Sequence, residues 1–510
     1  MESPDLSKLS KILKGQHGQE ALISTLRKVQ AEYDNIPPES IPPIAKALKI
    51  AESRVYSVAT FYEEFLAQQE AEEDKRPDEH ISTKHKLVIL RNIGDINPED
   101  IDSYIATGGY SALKKALTST RPKEVAEIIL SSGLRDRDSN FLTGEKWLRL
   151  AETSAEKKYV VCDASDQGTG ISINKVLLES DPHSLLEGMA ITAYAIGAGK
   201  CYLYVPYEFG SALKRLELAL KQAKERGFVG SNIIEASFDC DIEVREGPRF
   251  LSCDPEIGVI TFIEGNRASP RIAPPFPKSS GLWGKPTLIG SAETFYNIPW
   301  IIQNGPDAYT QYGTKSNRGT KVLALNGNVS NIGIVEVPMG ISLRQLIYDI
   351  GGGIKEEHKF KVVHIGGAYG GFLPANLLDT PLDYNSLSEL GLGFGSGNVV
   401  VLDNSTCIID LAKSLIHFTF NHYCGACVSG RLGVRQILEI LTRITQGEGK
   451  EGDVQLLERI GHLMKETSLC SMCQAASNPI LTSIRYFPEE YETHITQKKC
   501  PVSVCQMSKV

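Results

Sequence analysis

Three neighbouring stretches, KKYVVCDA (157–164), SLLEGMAITAYAIGA (184–198) and KCYLYVPY (200–207), decide the fold. A run rich in β-branched residues, a long apolar helix pattern and a second strand-like run follow one another. That is the alternation of an α/β sheet. SALKRLELALKQAKERG (211–227) continues it with a helix ending in glycine, and FDCDIEVREG (238–247) with a further strand. Upstream, HKLVILRNIG (85–94) reads as a strand, and EDIDSYIATGGYSALKKAL (99–117) as two helices broken at Gly-Gly. The expected fold class is α/β, with the sheet domain spanning 85–310.

Helical regions and a smaller module surround this centre. In ALISTLRKVQAEY (21–33) apolar residues recur at three- and four-residue spacing. A Pro-Pro break follows, then IPPIAKALKI behind Ser40, and SRVYSVATFYEEFL (53–66). Residues 1–68 therefore read as a helical bundle that packs on something, and 69–84 as a charged linker. From Gly319, TKVLALNGNV (320–329) and GIVEVPMG (333–340) are short strands around an Asn-Gly turn. SLRQLIYDIGGG (342–353) is a helix and FKVVHIGG (360–367) a strand, which makes 319–403 a β-grasp-like α+β module. Residues 405–495 return to helices, and 496–510 form a cysteine-containing tail.

Composition narrows the function class. The 510 residues are 42% hydrophobic and 23% charged, with net charge −8. A chain of this kind is globular and has no broad basic surface for nucleic acid. No run of eighteen apolar residues exists, and the N-terminus lacks an apolar signal core, so the expected location is the cytoplasm, without a transmembrane segment. Of 11 cysteines, Cys162, Cys201, Cys240 and Cys253 stand singly and read as small buried hydrophobes. The other seven crowd the C-terminal region, which points to metal or redox chemistry in a reducing compartment. Cys424 and Cys427 form one CxxC pair, and Cys470 and Cys473 a second. Four thiolates suit an iron–sulfur cluster or zinc. The gap of 42 residues between the pairs is long for a zinc ribbon, whose pairs lie roughly 12–20 residues apart, and suits a cluster wedged between helices. Cys500 and Cys505 offer a second metal site for zinc or another cluster, with His494 or Cys407 as further donors; the other reading is a disordered tail. His183 reads as a structural residue at a helix start. No nucleophile–base pair stands out, and no catalytic residue is assigned.

Several longer strings carry a family resemblance: DPHSLLEGMAITAYAIGA (181–198), EGNRASPRIAPPFPKSSGLWGKPT (264–287), AETFYNIPWIIQNG (292–305), VPMGISLRQLI (337–347), YCGAC (423–427) and NPILTSIRYFPEEYETHI (478–495). Over about 85–495 the chain resembles the NADH-oxidising flavoprotein subunit of complex I and of soluble NAD-linked and electron-bifurcating hydrogenases. Residues 21–66 resemble the N-terminal helical bundle of the [2Fe–2S] partner subunit, without its cluster cysteines, since no cysteine precedes Cys162. The resemblance implies a Rossmann-like FMN/NADH domain, an SLBB-like β-grasp module and an iron–sulfur helical bundle, with other iron–sulfur and flavin subunits as partners.

The resemblance breaks at the cofactor loops. The family's glycine-rich loop G-R-G-G-A-G-F-P-T-G-x-K-W falls here in the stretch 134–147, where its counterpart from Asp136 to Trp147 is one residue shorter than the pattern, with Asp136 and Asp138 where glycines stand. Glycines let backbone amides approach an anion, whereas two carboxylates oppose a dianionic phosphate. Of the residues implied to hold FMN, Lys146, Glu256 and Thr294 remain. The family's cluster pattern S-C-G-x-C-x-P-C-R matches at Cys424 and Cys427 but has Gly430 at its third cysteine. Cys470 matches the fourth, and Cys473 is expected to replace the missing ligand. The expectation is a [4Fe–4S] electron-transfer and scaffolding subunit of a soluble multisubunit oxidoreductase, with FMN and NAD(H) lost from a degraded site. Its alternatives are an active FMN-dependent NADH-oxidising subunit with a modified pocket, and a non-redox interaction protein with structural zinc.

Overall fold

The computed structural model describes residues 6–33, 35–59, 87–165, 170–251, 253–271, 276–355 and 358–507. The expected linker 69–84, the continuation of the 53–66 helix beyond residue 59, and the last three residues of the tail lie outside the described residues.

Four parallel strands form the central sheet: β1 (Tyr159–Asp163), β2 (Lys200–Pro206), β3 (Asp241–Gly247) and β4 (Thr287–Ser291), in the order β3-β2-β1-β4. The order reverses between β1 and β4, where Cys162 pairs with Gly290 and Asp163 with Ser291. The carboxyl ends of these two strands therefore open side by side, at the position where sheets of this kind form a ligand crevice.

The sheet is apolar on both faces because both are covered. Val160 and Cys162 join the core built with the helices Pro182–Ile196 and Ala292–Asn304, while Val161 points to the opposite layer. Gly188 lets those two helices meet at the backbone: a Cβ there would lie 2.2 Å from the Phe295 carbonyl oxygen. The opposite layer is the N-terminal bundle. Leu26, Val29, Ile44, Leu48 and Val55 pack with Val161, Tyr202 and Tyr204 and with the helix Pro255–Ile263. The bundle expected to pack on something thus buries its apolar stripe against the chain's own sheet.

The stretch 85–94 differs from its strand expectation. Residues 87–90 form a bend, and the backbone amides of Leu87, Val88, Ile89 and Leu90 all donate to the Glu336 carboxylate, at 3.0–3.1 Å. An extended chain alternates its amide directions, so four consecutive amides reach one carboxylate only in a turned conformation.

The second sheet contains β5 (Thr320–Gly327), β6 (Gly333–Pro338), β7 (Phe360–Ile365), β8 (Gly371–Pro374) and β9 (Asn398–Asp403), in the order β6-β5-β9-β7-β8. β5 and β9 are parallel and the other pairs antiparallel. The glycine-rich segments 366–371 and 391–397 are turns and close packing, as Gly366 at φ 98° illustrates. The C-terminal region is a bundle built on Ile408–His422, Val428–Thr445, Asp453–Thr467 and Asn478–Tyr486 around Ile416, Val434, Ile437, Leu441 and Met464.

Candidate cluster and cofactor sites

Helix starts position the cluster cysteines. Cys427 precedes the helix Val428–Thr445, and Cys470 precedes the short helix Ser471–Ala475 that carries Cys473. Their thiols therefore lie near free backbone amides, which favour thiolate. For Cys427, amides of Leu469 and Gly430 outweigh burial and hold the thiol below its usual range. Cys470 falls to about 7, chiefly through its bond with Cys473. Cys424, Cys427, Cys470 and Cys473 are all buried.

Gly430 explains how two pairs make one site. A Cβ built on it would lie 2.8 Å from Cys473 Sγ and 2.9 Å from Cys427 Sγ. Cys473 thus fills the space into which a side chain at 430 would project. Tyr369 from the β-grasp module and Tyr423 pack on Cys427, Cys470 and Cys473. Cys253 and Ala268, from the first sheet's layer, pack on Cys424, and Asp254 accepts from the Ser471 hydroxyl. The four-thiol pocket therefore sits where three parts of the chain meet. The donor set fits a [4Fe–4S] cluster: four buried sulfurs, two of them biased to thiolate, and no side chain at 430 to block the space. Cys253, which the sequence presents as a plain core residue, is buried but lies beside a cluster cysteine 171 positions later, a proximity with no local signature.

A second set gathers Cys407, His494, Cys500 and Cys505, whose ligand atoms all lie within 4.8 Å of one another. Cys407 Sγ stands 3.5 Å from His494 Nε2 and 3.6 Å from Cys505 Sγ. His494 Nδ1 is fixed by the Glu490 carbonyl at 2.8 Å, so Nε2 is the free face. The tail is packed up to this site, and Cys500 is buried. The donor type and spacing fit one tetrahedral zinc ion.

The third cluster of functional residues surrounds the crevice of β1 and β4. Phe141 O accepts from Asp136 N, and Leu134 O from Thr143 N, which folds 134–143 into a tight loop. The loop's Asp136 carboxylate is buried and accepts from Ser139 N (2.9 Å), Ser139 Oγ (2.8 Å), Asp138 N (3.3 Å), Ser291 N (3.2 Å) and Thr294 Oγ1 (3.1 Å). Burial opposes its charge, but Lys146 and the bonds from Ser139 and Ser291 outweigh it and hold the carboxyl below its usual range. Thr294 Oγ1 also accepts from Arg137 N at 2.9 Å. Arg137 is fully buried, its Nη2 donating to Tyr309 and to the Arg318 carbonyl. Tyr384 clamps the loop from the β-grasp side, donating to the Asp136 and Arg137 carbonyls.

Lys146 pairs with Glu256 at 3.1 Å and lies over the Phe141 ring. Asp138, in the same loop, is exposed. Asp163 rises to about 6, mainly by burial. The three residues expected to hold FMN are brought to one crevice, but Lys146 and Glu256 bind each other and Thr294 binds the loop. The residues present do not fit a flavin phosphate at this point: the Ser291 amide and the Thr294 hydroxyl already bond Asp136, and the dianion would meet that carboxylate. Part of the neighbouring loop, residues 166–169, lies outside the described residues.

His183 is structural, as expected: buried, with Nδ1 bonded to Tyr110 at 2.9 Å. Among the described residues no helix is long and apolar enough to cross a membrane.

A switch-point α/β sheet joined to a β-grasp module and a cysteine-bearing helical bundle defines the class of flavoprotein and iron–sulfur subunits that pass electrons within larger complexes. Residues 129–300 match the Nuo51 FMN-binding domain, 410–494 the NADH-ubiquinone oxidoreductase-F iron–sulfur binding region, and 9–74 the thioredoxin-like [2Fe-2S] ferredoxin. The chain is 44% identical to the NADP-reducing hydrogenase subunit HndC of Solidesulfovibrio fructosivorans, covering 83% of this chain and 86% of that one. It is 35% identical to one of the F-type subunits of NADH-quinone oxidoreductase in Rhizobium meliloti (81% and 99%). To the F-type subunit of the same enzyme in Escherichia coli it is 34% identical (79% and 91%). A crystal structure of an NAD+-reducing [NiFe]-hydrogenase in the H2-reduced state shares the fold, with TM-score 0.80 over 94% of this chain and 93% of that one, at 20% identity. The chain belongs to the family formed by the F-type subunits of NADH-quinone oxidoreductase and their hydrogenase counterparts.

Proposed function

We propose that the protein is a [4Fe–4S] electron-transfer and scaffolding subunit of a soluble, cytoplasmic oxidoreductase complex, with flavin chemistry carried by another subunit. Cys424, Cys427, Cys470 and Cys473 hold the cluster. The observation that carries this reading is the exchange at Gly430, where the sulfur absent from one helix is supplied by Cys473 from another. Cys407, His494, Cys500 and Cys505 hold a structural zinc that fastens the tail to the bundle. The occupied donors around Asp136 support the loss of FMN and NAD(H) from the crevice. When bound, the cluster supplies one-electron transfer; the chain's own residues enclose it and exclude water.

A second reading, an active flavin subunit using Lys146, Glu256 and Thr294, draws on the match to the FMN-binding domain. Anaerobic purification with assay of iron, sulfide, zinc and flavin separates the readings. The expected result is about four cluster irons with matching sulfide, one zinc and no flavin. Stoichiometric FMN overturns the proposal in favour of the flavin subunit, and zinc without iron overturns it in favour of a non-redox protein.

A further inference from the structure

We infer that the anion pocket at the crevice of β1 and β4 survives and is self-occupied: Asp136 is a built-in surrogate for a phosphate, and the pocket takes a phosphate monoester once that carboxylate is removed. This rests on the reading that the wild-type protein holds no flavin.

The geometry is that of a ligand and its receptor. One receptor wall is the start of the helix Ala292–Asn304, a 13-residue helix whose first turn presents the Ser291 amide and the Thr294 hydroxyl. Free amides at a helix start and a nearby cation are the elements of a phosphate site. The cation is Lys146, whose charge is the leading influence holding the Asp136 carboxylate ionised against burial. Asp136 Oδ2 accepts from both the Ser291 amide and the Thr294 hydroxyl, as a phosphate oxygen would, while Oδ1 accepts from its own loop at Asp138 N, Ser139 N and Ser139 Oγ. The carboxylate reaches the helix start from a loop where the family has glycine, so the side chain enters a space that glycine leaves open. Gly290 keeps that space clear from below: a Cβ there would lie 3.3 Å from Asp136 Oδ2.

The remainder of the loop secures the occupant. Arg137 is driven into the interior, and Tyr384 bonds the carbonyls of both residues. Arg137 Nε and Nη1 are buried without a hydrogen-bond partner, so spare cationic donors stand beside the loop.

The test compares the full chain with Asp136→Gly and Asp136→Asn, all purified anaerobically with the cluster assayed first. Binding of FMN and of riboflavin is followed by fluorescence quenching, and inorganic phosphate by its effect on thermal unfolding. The wild type is expected to bind neither flavin and to ignore phosphate. Asp136→Gly is expected to bind FMN at least tenfold more tightly than riboflavin, which lacks the phosphate, and to be stabilised by inorganic phosphate. Asp136→Asn keeps the side-chain shape and loses the charge, and an FMN preference there also supports the inference. Two folded variants with no preference overturn it while leaving the proposed function intact. Loss of fold in both overturns it as well, since a mere occupant is removable. Stoichiometric FMN in the wild type overturns the proposed function and this inference together.

Discussion

At position 430 a single missing side chain determines what another residue does. Cys473 projects into the space above Gly430, so the two positions compete for one volume. Cys473→Ser is expected to lose the cluster, read as iron and sulfide content, while Gly430→Cys combined with Cys473→Gly restores it. Gly430→Cys alone crowds two sulfurs and lowers the iron content. Asp163 makes a prediction in pH. Burial raises its folded-state value to about 6 from 3.8. The folded protein then retains a proton that the unfolded chain releases between those values, so this group lowers stability as pH rises through that window. Asp163→Asn removes that slope and stabilises the protein at pH 7 by up to about 3 kcal/mol. Urea unfolding at pH 4 and pH 7 checks it: equal gains at both pH values would refute the assignment.

Among the elements, the bend at 87–90 depends on a residue nearly 250 positions away. Glu336 also accepts from Thr320, and it is buried. Removing it strands four amides, each costing about 1–3 kcal/mol when unsatisfied. Glu336→Ala is expected to destabilise the chain by at least about 3 kcal/mol and to expose Leu87–Leu90 to amide hydrogen exchange. Glu336→Gln, which keeps one good acceptor, is expected to lose less. The sequence HKLVILRNIG has the look of a strand because it is β-branched and apolar. Val88, Ile89, Leu90 and Ile93 are indeed buried; what the pattern omits is the direction of the amides.

Across the whole molecule, the N-terminal bundle is a second layer of the α/β sheet. Its contact is close at Gly265, where a Cβ would lie 1.9 Å from the Gln19 carbonyl oxygen. Gly265 also sits at φ 71°, which an L side chain disfavours. Gly265→Ala is expected to lift the bundle from the sheet, at a cost of about 1–3 kcal/mol, and to open the helix Leu22–Tyr33 to limited proteolysis without loss of iron. At the other end, Cys407, His494, Cys500 and Cys505 join the tail to the C-terminal bundle. Chelation or Cys500→Ser is expected to free the tail to proteolysis while the iron of the four-cysteine site remains, an outcome read by metal analysis of the nicked protein.

Much of the architecture was legible along the chain. β1 to β3, the β-grasp strands β5, β6 and β7 and the three long C-terminal helices follow periodicities of two and three to four residues, which neighbouring side chains impose locally, whereas β4, β8 and β9 were not read from the sequence. Both CxxC pairs were legible for the same reason: their spacing is local. Pairing Cys473 with the space at Gly430 began as a sequence expectation, but whether the sulfur reaches that space depends on how two helices pack. At the tail, Cys500 and Cys505 were legible with His494 and Cys407 as further donors, and the fold brings all four together; Cys253 beside Cys424 and Glu336 beneath Leu87–Leu90 had no local signal, because each joins positions far apart along the chain. The sequence by itself determined which loops depart from the family and that two carboxylates stand in the glycine loop. Only the tertiary structure decided what Asp136 does there, because a carboxylate repels a phosphate or replaces it according to whether a helix start and a lysine are folded around it.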